Sequence, residues 1–551
     1  MHKIRRTAGN VFASLCFFGI CLVSAGQGVC QDAAPPRIVN IVNFIRLSEP
    51  RDSNITEDVL YQTVVEQVRG MRKNRLGGTF LLQYDALMDP RYQKLLKNLP
   101  RDSFEIGAWW ELPQPLVERA GLLWRGRYPW DWRANIGFAT GYTPAEREKL
   151  ADAYMHDFRR VFGYYPRSVG CWFIDAHTLN YLYARYGIVA SCNCKDQYGT
   201  DGYTLWGGYW NQAYYPSKVN AYMPAQEADR QIPVPIFRML GSDPIRQYDN
   251  GLGSERQGVT TLEPVYKHAG GDPAWVDWFF RQFVEGEPLA FAYTQAGQEN
   301  SFTWKAMAKG LAYQLSLIAR LRDEKQVNVE TLAQSGIWFK AHFKVTPATA
   351  VVASEDLPGS DRSTVWFDSR FYRVNFLWEK GTLRIRDIHL FNENLASPYL
   401  RKKAEDNACA FFTLPFVDGY LWSAPPQIAG LRFLSTGNTV MEGGRPVVTS
   451  RVLGRLHIVW PLRGGGRLVA DLDERHIRMR VEAPAPVHWF LDLTVADKVS
   501  LPFTSITSHR VACSFQGLNY GVFAVKGSFS HPGGRATLRI EPESDEVELK
   551  L

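Results

Sequence analysis

No run of basic residues in this sequence is long enough to form a nucleic-acid-binding arm, so nucleic acid is excluded as an expected partner. Beyond the first 25 residues no apolar run approaches the length of a bilayer span, so none is expected in the mature chain. No Gly-x-Gly-x-x-Gly turn follows the first expected strand, which argues against a dinucleotide fold, and no cofactor is expected. Neither His-x-x-x-His nor His-x-His occurs. Within residues 37–344 the only histidines are His156, His177, His268 and His342, so no metal centre is expected. Cysteine is sparse, with 8 in 551 residues, and the spacing is not that of a disulfide framework.

What is present describes a folded, exported chain. Hydrophobic residues make up 45% and charged residues 22%, ordinary proportions for a globular protein. Lys3, Arg5 and Arg6 precede an apolar run from Val11 to Val23, and Val23-Ser24-Ala25 offers small residues for cleavage. This three-part pattern makes residues 1–25 a signal peptide and places the mature protein in the periplasm or outside the cell. Cys16 and Cys21 leave with the leader. Cys192 and Cys194 share one face of a strand, so either a bridge from one of them to Cys171 or buried free thiols fit the spacing.

From residue 37 to 344 strands alternate with helices. Apolar strands are expected at Arg37–Arg46, Thr79–Tyr84, Phe104–Trp110, Ser168–Ile174, Ile188–Cys194, Val234–Leu240 and Leu289–Thr294. Between them, Asp89-Pro90, Thr143-Pro144-Ala145-Glu146 and Asp272-Pro273 read as helix starts, and Gly163 as a helix end. Such alternation implies a parallel sheet, most simply a (β/α) barrel of seven or eight strands. Residues 345–551 instead carry short alternating runs separated by turns such as Glu379-Lys380-Gly381, the pattern of an all-β sandwich.

In a parallel barrel, chemistry sits where the strands end. Acids follow strand after strand: Glu49, Asp85, Glu111, Asp175, Asp196 and Glu299. Of 17 Trp, 12 fall between residues 100 and 340. Indole faces pack on the C–H faces of sugar rings, and a carboxyl pair is what cleavage of a glycosidic bond needs. The expected substrate is therefore an oligo- or polysaccharide, and the expected activity is glycoside hydrolysis. Asp175 is expected as nucleophile or base and Glu299 as general acid. Asp85, Trp110, Glu111, Trp172, His177, Asp196, Asp201, Trp206, Gln298 and Trp304 are expected to bind substrate. Asp175 can equally cap the helix that follows it. De-esterification of glycans and non-catalytic glycan binding are the alternatives.

Several motifs resemble the superfamily of (β/α)7 barrels that contains the polysaccharide deacetylases and glycoside hydrolase families 57 and 38. Leu81-Leu82-Gln83-Tyr84-Asp85 is similar to its second-strand motif, and Glu105-Ile106-Gly107 to the start of its third. Gly141-Tyr142-Thr143-Pro144, a long helix and Phe162-Gly163-Tyr164-Tyr165-Pro166 resemble the stretch before the fourth strand. The resemblance implies a nucleophile after strand four and an acid after strand seven, positions held here by Asp175 and Glu299. The chain departs from the deacetylases where their His-x-x-x-His is replaced by Trp109-Trp110-Glu111, and from the metal-dependent mannosidases at Asn43-Phe44-Ile45-Arg46. It also resembles an uncharacterised family of secreted two-domain gut-bacterial proteins.

Overall fold

The computed structural model of the protein describes residues 34–551 apart from positions 453 and 535. The expected leader and Cys30 lie outside the described residues. Seven parallel strands form the first part: Arg37–Ile45, Gly78–Leu82, Phe104–Trp109, Ser168–Gly170, Ala190–Asn193, Ile236–Arg238 and Ala292–Ala296. The seventh pairs with the first, and the rest follow in chain order, so the sheet curls into a nearly closed barrel. Its one open seam lies between strands six and seven. There Gln212 accepts from Arg238 N through its carbonyl, while its side-chain Oε1 accepts from Tyr293 N at 2.8 Å. A side-chain amide thus satisfies backbone groups that the missing ladder would leave bare.

All seven strands stand where the apolar runs place them, because strands covered on both faces are apolar almost throughout. In the first, every residue except Arg37 is buried. The helices start and stop on local chemistry. Thr143 and Glu146 form a capping box before the helix Pro144–Phe162, which Gly163 ends with φ 85°. In the helix Thr303–Asp323, Met307, Leu311, Leu315 and Ile318 are all buried on one face.

The fourth strand is shorter than expected, ending at Gly170 rather than Ile174. Its continuation still touches strand five, with Cys194 N donating to Trp172 O at 2.7 Å, but then turns into the helix Ala176–Tyr186. The five cysteines among the described residues are all free and buried.

From Thr349 onward the strands, Cys409–Phe412 apart, are antiparallel, in one sheet of ten strands and one of eight that make up the β-sandwich part. At the expected turn, Lys380 and Gly381 both take positive φ, 51° and 71°, as a tight hairpin requires. The expected run Ala410–Phe416 is two strands. Cys409–Phe412 pairs in parallel with Tyr203–Trp206 from the barrel part, and Leu414–Asp418 pairs with Thr382–Leu390. Among the described residues no helix is long and apolar enough to cross a membrane.

Candidate active site

The C-terminal ends of the barrel strands open into a cavity of about 450 Å³. Arg46 follows strand one, Glu111 strand three, Trp172 strand four, Lys195 strand five, Leu240 strand six and Glu299 strand seven, and all of them line it. Trp130, Trp132 and Tyr266 supply further aromatic wall. Beneath it, Phe44 stacks on Trp109 at 4.1 Å, and Trp172 meets both rings edge-on. This packed barrel interior fixes the direction of the Trp172 indole.

Arg46 is the hub. Its guanidinium grips Glu111 through two hydrogen bonds, Nε to Oε2 at 2.8 Å and Nη2 to Oε1 at 2.5 Å. Its Nη1 lies 2.7 Å from Glu299 Oε2. That oxygen nonetheless has no well-aligned hydrogen bond, so the contact is an ion pair with a free acceptor direction. Glu299 Oε1 accepts from Ser301 Oγ at 2.8 Å. Burial raises the Glu299 carboxyl, and Arg46 opposes that rise. Burial alone would lower the Arg46 guanidinium, but Glu111 and Glu299 outweigh it and hold the charge.

The backbone is built to deliver this contact. Gly297 takes φ 102°, and a Cβ there would fall 2.2 Å from Val42 O, so only glycine lets the chain after strand seven fold back over strand one. Asn300 then clasps Arg46 from both sides, accepting from its N at 2.9 Å and donating to its O at 2.8 Å.

Glu263 lies on the same cavity but in the opposite electrostatic setting. It accepts from Thr261 Oγ1 at 2.8 Å and Gln298 Nε2 at 3.3 Å, and among the described residues it pairs with no cation within 4 Å. Burial pushes its carboxyl up to about 7, against the pull of those two donors. Lys195 is 1% exposed, and its Nζ donates to Asp196 O at 3.1 Å. Burial lowers its ammonium.

The expected site residues divide. Glu111, Trp172, Asp201 and Glu299 line the cavity. Glu111 is saturated, since Gln83 Nε2 and Trp172 Nε1 each add a hydrogen bond at 2.9 Å to the two from Arg46. Gln298 stands just behind, donating to Glu263. Asp201 sits with φ 54° at the tip of a hairpin formed by Gln197–Thr200 and Tyr203–Trp206.

The others are not brought to the cavity. Asp175 is fully buried, ion-paired to Arg147 at 2.9 Å, and accepts from Thr178 N and Oγ1, so it caps the helix Ala176–Tyr186. The expected Asp175–Glu299 pair therefore does not form, because the strand end and the helix cap coincide at Asp175 and the cap takes both oxygens. His177 faces Glu148 on the same helix layer. Asp196 pairs with Arg238 and Arg373, and Trp206 donates to Asp418, so both tie the barrel to the sandwich. Trp110 is buried against Tyr154. Trp304 begins a helix, its N donating to Thr63 Oγ1. Asp85 accepts from Ala86 N at 2.7 Å, and burial pushes it up to about 7.

Sequence reasoning missed Arg46, Lys195 and Glu263. The first two end strands just as the acids do, and a search of strand ends for cations as well as carboxylates finds them. Glu263 has no such signal, because it lies in the irregular stretch between strand six and the helix Pro273–Glu285.

Among the described residues, no group of three or more His, Cys, Asp or Glu side chains is placed to hold a metal ion. The metal of the deacetylases has no matching donors after strand three, where Glu111 has its oxygens filled by Arg46, Gln83 and Trp172.

Residues 132–277 match a family described as Domain of Unknown Function with solved-structure structure (DUF3863). No curated protein matches the sequence. Among solved structures, the chain is similar to a candidate glycoside hydrolase/deacetylase from Parabacteroides distasonis, at 15% identity over 69% of this chain and 91% of that one, with TM-score 0.50. It also matches a candidate polysaccharide deacetylase from Mycobacterium smegmatis, at 12% identity over 58% and 95% of the two chains, with TM-score 0.36. A 4-alpha-glucanotransferase from Thermococcus litoralis matches at 9% identity over 94% and 99%, with TM-score 0.30. The first of these likenesses establishes a shared fold, the (β/α)7-type barrel that the sequence motifs resemble.

Proposed function

We propose that the protein is a carbohydrate-active enzyme that hydrolyses glycosidic bonds, with Glu263 as general acid and Glu299 as the carboxylate partner. The observation that carries this reading is the contrast between two carboxyls on one cavity. Among the described residues Glu263 has no cation within 4 Å, and it is pushed up to about 7, so it holds a proton near neutrality. Glu299 lies against Arg46 and keeps one oxygen without an aligned donor. Two carboxyls on one cavity, one beside a cation and one without, are the kind of pair the reaction needs.

In this mechanism Glu263 gives its proton to the glycosidic oxygen as the bond from that oxygen to the anomeric carbon breaks. Glu299 either attacks that carbon or removes a proton from the water that does, and water completes the hydrolysis. Arg46 acts on the reaction by favouring the ionised form of Glu299 against the effect of burial, and Asn300 positions Arg46. Trp130, Trp132 and Trp172 line the cavity where sugar rings would lie, although Arg46 and Arg51 already rest over the first and Arg51 and Arg127 over the second. The barrel shared with the Parabacteroides protein, described as a candidate glycoside hydrolase/deacetylase, agrees with a carbohydrate substrate. Export through the leader would place the enzyme with its glycans.

The test is product release from a panel of aryl glycosides and oligosaccharides by wild type, Glu263→Gln and Glu299→Gln. Each substitution is expected to lower turnover by about 10²- to 10⁴-fold. Wild-type rates in both variants overturn the assignment.

A further inference from the structure

Every fully buried arginine of the described chain that could be compared with Lys195 has an acid beside it. Arg147 has Asp175, Arg238 has Asp196, and Arg373 has Asp196 and Asp387. Arg386 has Asp249, and the nearly buried Arg46 has Glu111 and Glu299. Lys195 breaks the pattern. It is 1% exposed, and among the described residues no carboxylate comes within salt-bridge distance of it. Of the three donors on an ammonium, one is used, on Asp196 O at 3.1 Å. Glu263, Asp196 and Asp201 act on it only through space. A buried cation without a counter-ion is costly, and the cost is tolerated where a ligand supplies the missing charge.

The position says which ligand. Lys195 ends strand five and lines the same cavity as Glu263, Glu299 and the tryptophans. Arg46 and Arg51, the other cations there, are each held bidentate by a glutamate of the protein, Glu111 and Glu49. Glu263 cannot serve as the counter-ion while it holds the proton that the proposed hydrolysis assigns to it. A charge to pair with the ammonium is left for the substrate to supply.

We infer that the substrate of this cavity is an acidic glycan whose ring carboxylate, that of a uronic acid, pairs with the Lys195 ammonium. This rests on the proposed hydrolase reading for the place of the glycan, but binding and cleavage are separable. The carboxylate gains a charge-assisted hydrogen bond from Nζ. A neutral sugar in the same place leaves the ammonium buried and unpaired, so the lysine discriminates against it as well as for the acid.

The experiment is calorimetric titration of the full chain bearing Glu299→Gln, which slows turnover and leaves Lys195 in place. The probes are galacturonate- and glucuronate-containing oligosaccharides and the same oligosaccharides with their carboxyl groups reduced to alcohols. At least one acidic probe is expected to bind about 10- to 100-fold tighter than its reduced partner. Adding Lys195→Gln is expected to abolish that preference by weakening the acidic probe, with the reduced partner bound at least as tightly as before. Equal binding of acidic and reduced probes overturns the inference, as does a preference that survives Lys195→Gln, or failure of every acidic probe to bind. Should the Lys195 variant not fold, the comparison of acidic with reduced probes decides alone. Release of neutral sugars by wild type with no acidic preference would retain the hydrolase and discard the acidic substrate. Acidic preference without cleavage would do the reverse.

Discussion

Two clusters of buried charge touch in sequence at the adjacent residues Lys195 and Asp196 and serve different ends. One is the seam between barrel and sandwich, where Asp196 meets Arg238 at 2.7 Å and Arg373 at 2.5 Å, and Arg373 reaches on to Asp387 at 2.9 Å. The other is the barrel mouth, where Arg46 joins Glu111 and Glu299 while Glu263 and Lys195 stand apart. In the seam each charge has an opposite charge, and Asp196 is held below the usual carboxylate range by the two arginines against the effect of burial. In the mouth Glu299 and Glu263 are raised and Lys195 is lowered, in each case chiefly by burial. A strand-end acid is therefore not functional by position alone. What separates the two clusters is whether the partners within reach exhaust its charge and its lone pairs.

The largest expected effects fall on the mouth and should leave the fold intact. Glu263→Gln and Glu299→Gln are expected to cut turnover by about 10²- to 10⁴-fold. Their melting temperatures should stay within a few degrees of wild type, read by calorimetry, since an amide keeps the shape, Glu263 has no cation paired with it among the described residues, and Arg46 keeps Glu111 when Glu299 loses its charge. The seam should answer in the opposite way. Asp196→Ala strands Arg238 and Arg373 in the interior, and breaking a buried pair from one side costs about 3–5 kcal/mol. Denaturant unfolding should register that loss, while the KM of the protein that remains folded stays near wild type. An Asp196 variant with normal stability and no activity would reverse the contrast.

pH offers a finer cut. Burial pushes Glu263 up to about 7, and the proposed mechanism uses its protonated form, so turnover should fall about tenfold per pH unit above 7. The same shift has a stability consequence. A carboxyl raised above its unfolded value favours the folded state below that unfolded value, and the contribution is lost as pH rises through the folded one. Asp85 and Glu263, both pushed up to about 7, should together make the protein less stable between roughly pH 4 and 7. Asp85→Asn removes one of the two, and its melting temperature should fall less than that of wild type across this window. A wild-type profile that rises through the window would overturn this account.

The contrast between the clusters also explains what could be read in the sequence. The seven barrel strands were legible because burial on both faces demands uninterrupted apolar runs, and the helix starts because caps are local chemistry. Glu299 was legible as a polar group after an apolar strand. Asp175 and Asp196 fit the same rule, yet Arg147 and Arg373 claim them from 28 and 177 residues away. No local pattern announces such a claim. Arg46 and Lys195 are hidden for a different reason, since glycoside hydrolysis calls for carboxyls and gives no reason to expect a cation at a strand end. Glu263 reaches the mouth through an irregular segment, whose course is set by tertiary packing and not by periodicity.

Glu111 falls between the two clusters, and the smallest of these effects would say to which it belongs. It lines the cavity, as Glu299 does, yet it is fully paired, as Asp196 is. Trp172→Phe keeps an aromatic ring facing Phe44 and Trp109 and deletes the 2.9 Å bond from Nε1 to Glu111 together with part of the indole surface. If Glu111 is scaffolding for Arg46, losing one of four donors should cost about 1.5–3 kcal/mol of stability and lower turnover by less than about tenfold. If Glu111 takes part in the reaction, turnover should drop well beyond that and the pH profile should shift with it. The saturation of its oxygens favours the first outcome, because a carboxylate already holding four hydrogen bonds has no direction left in which to meet a substrate.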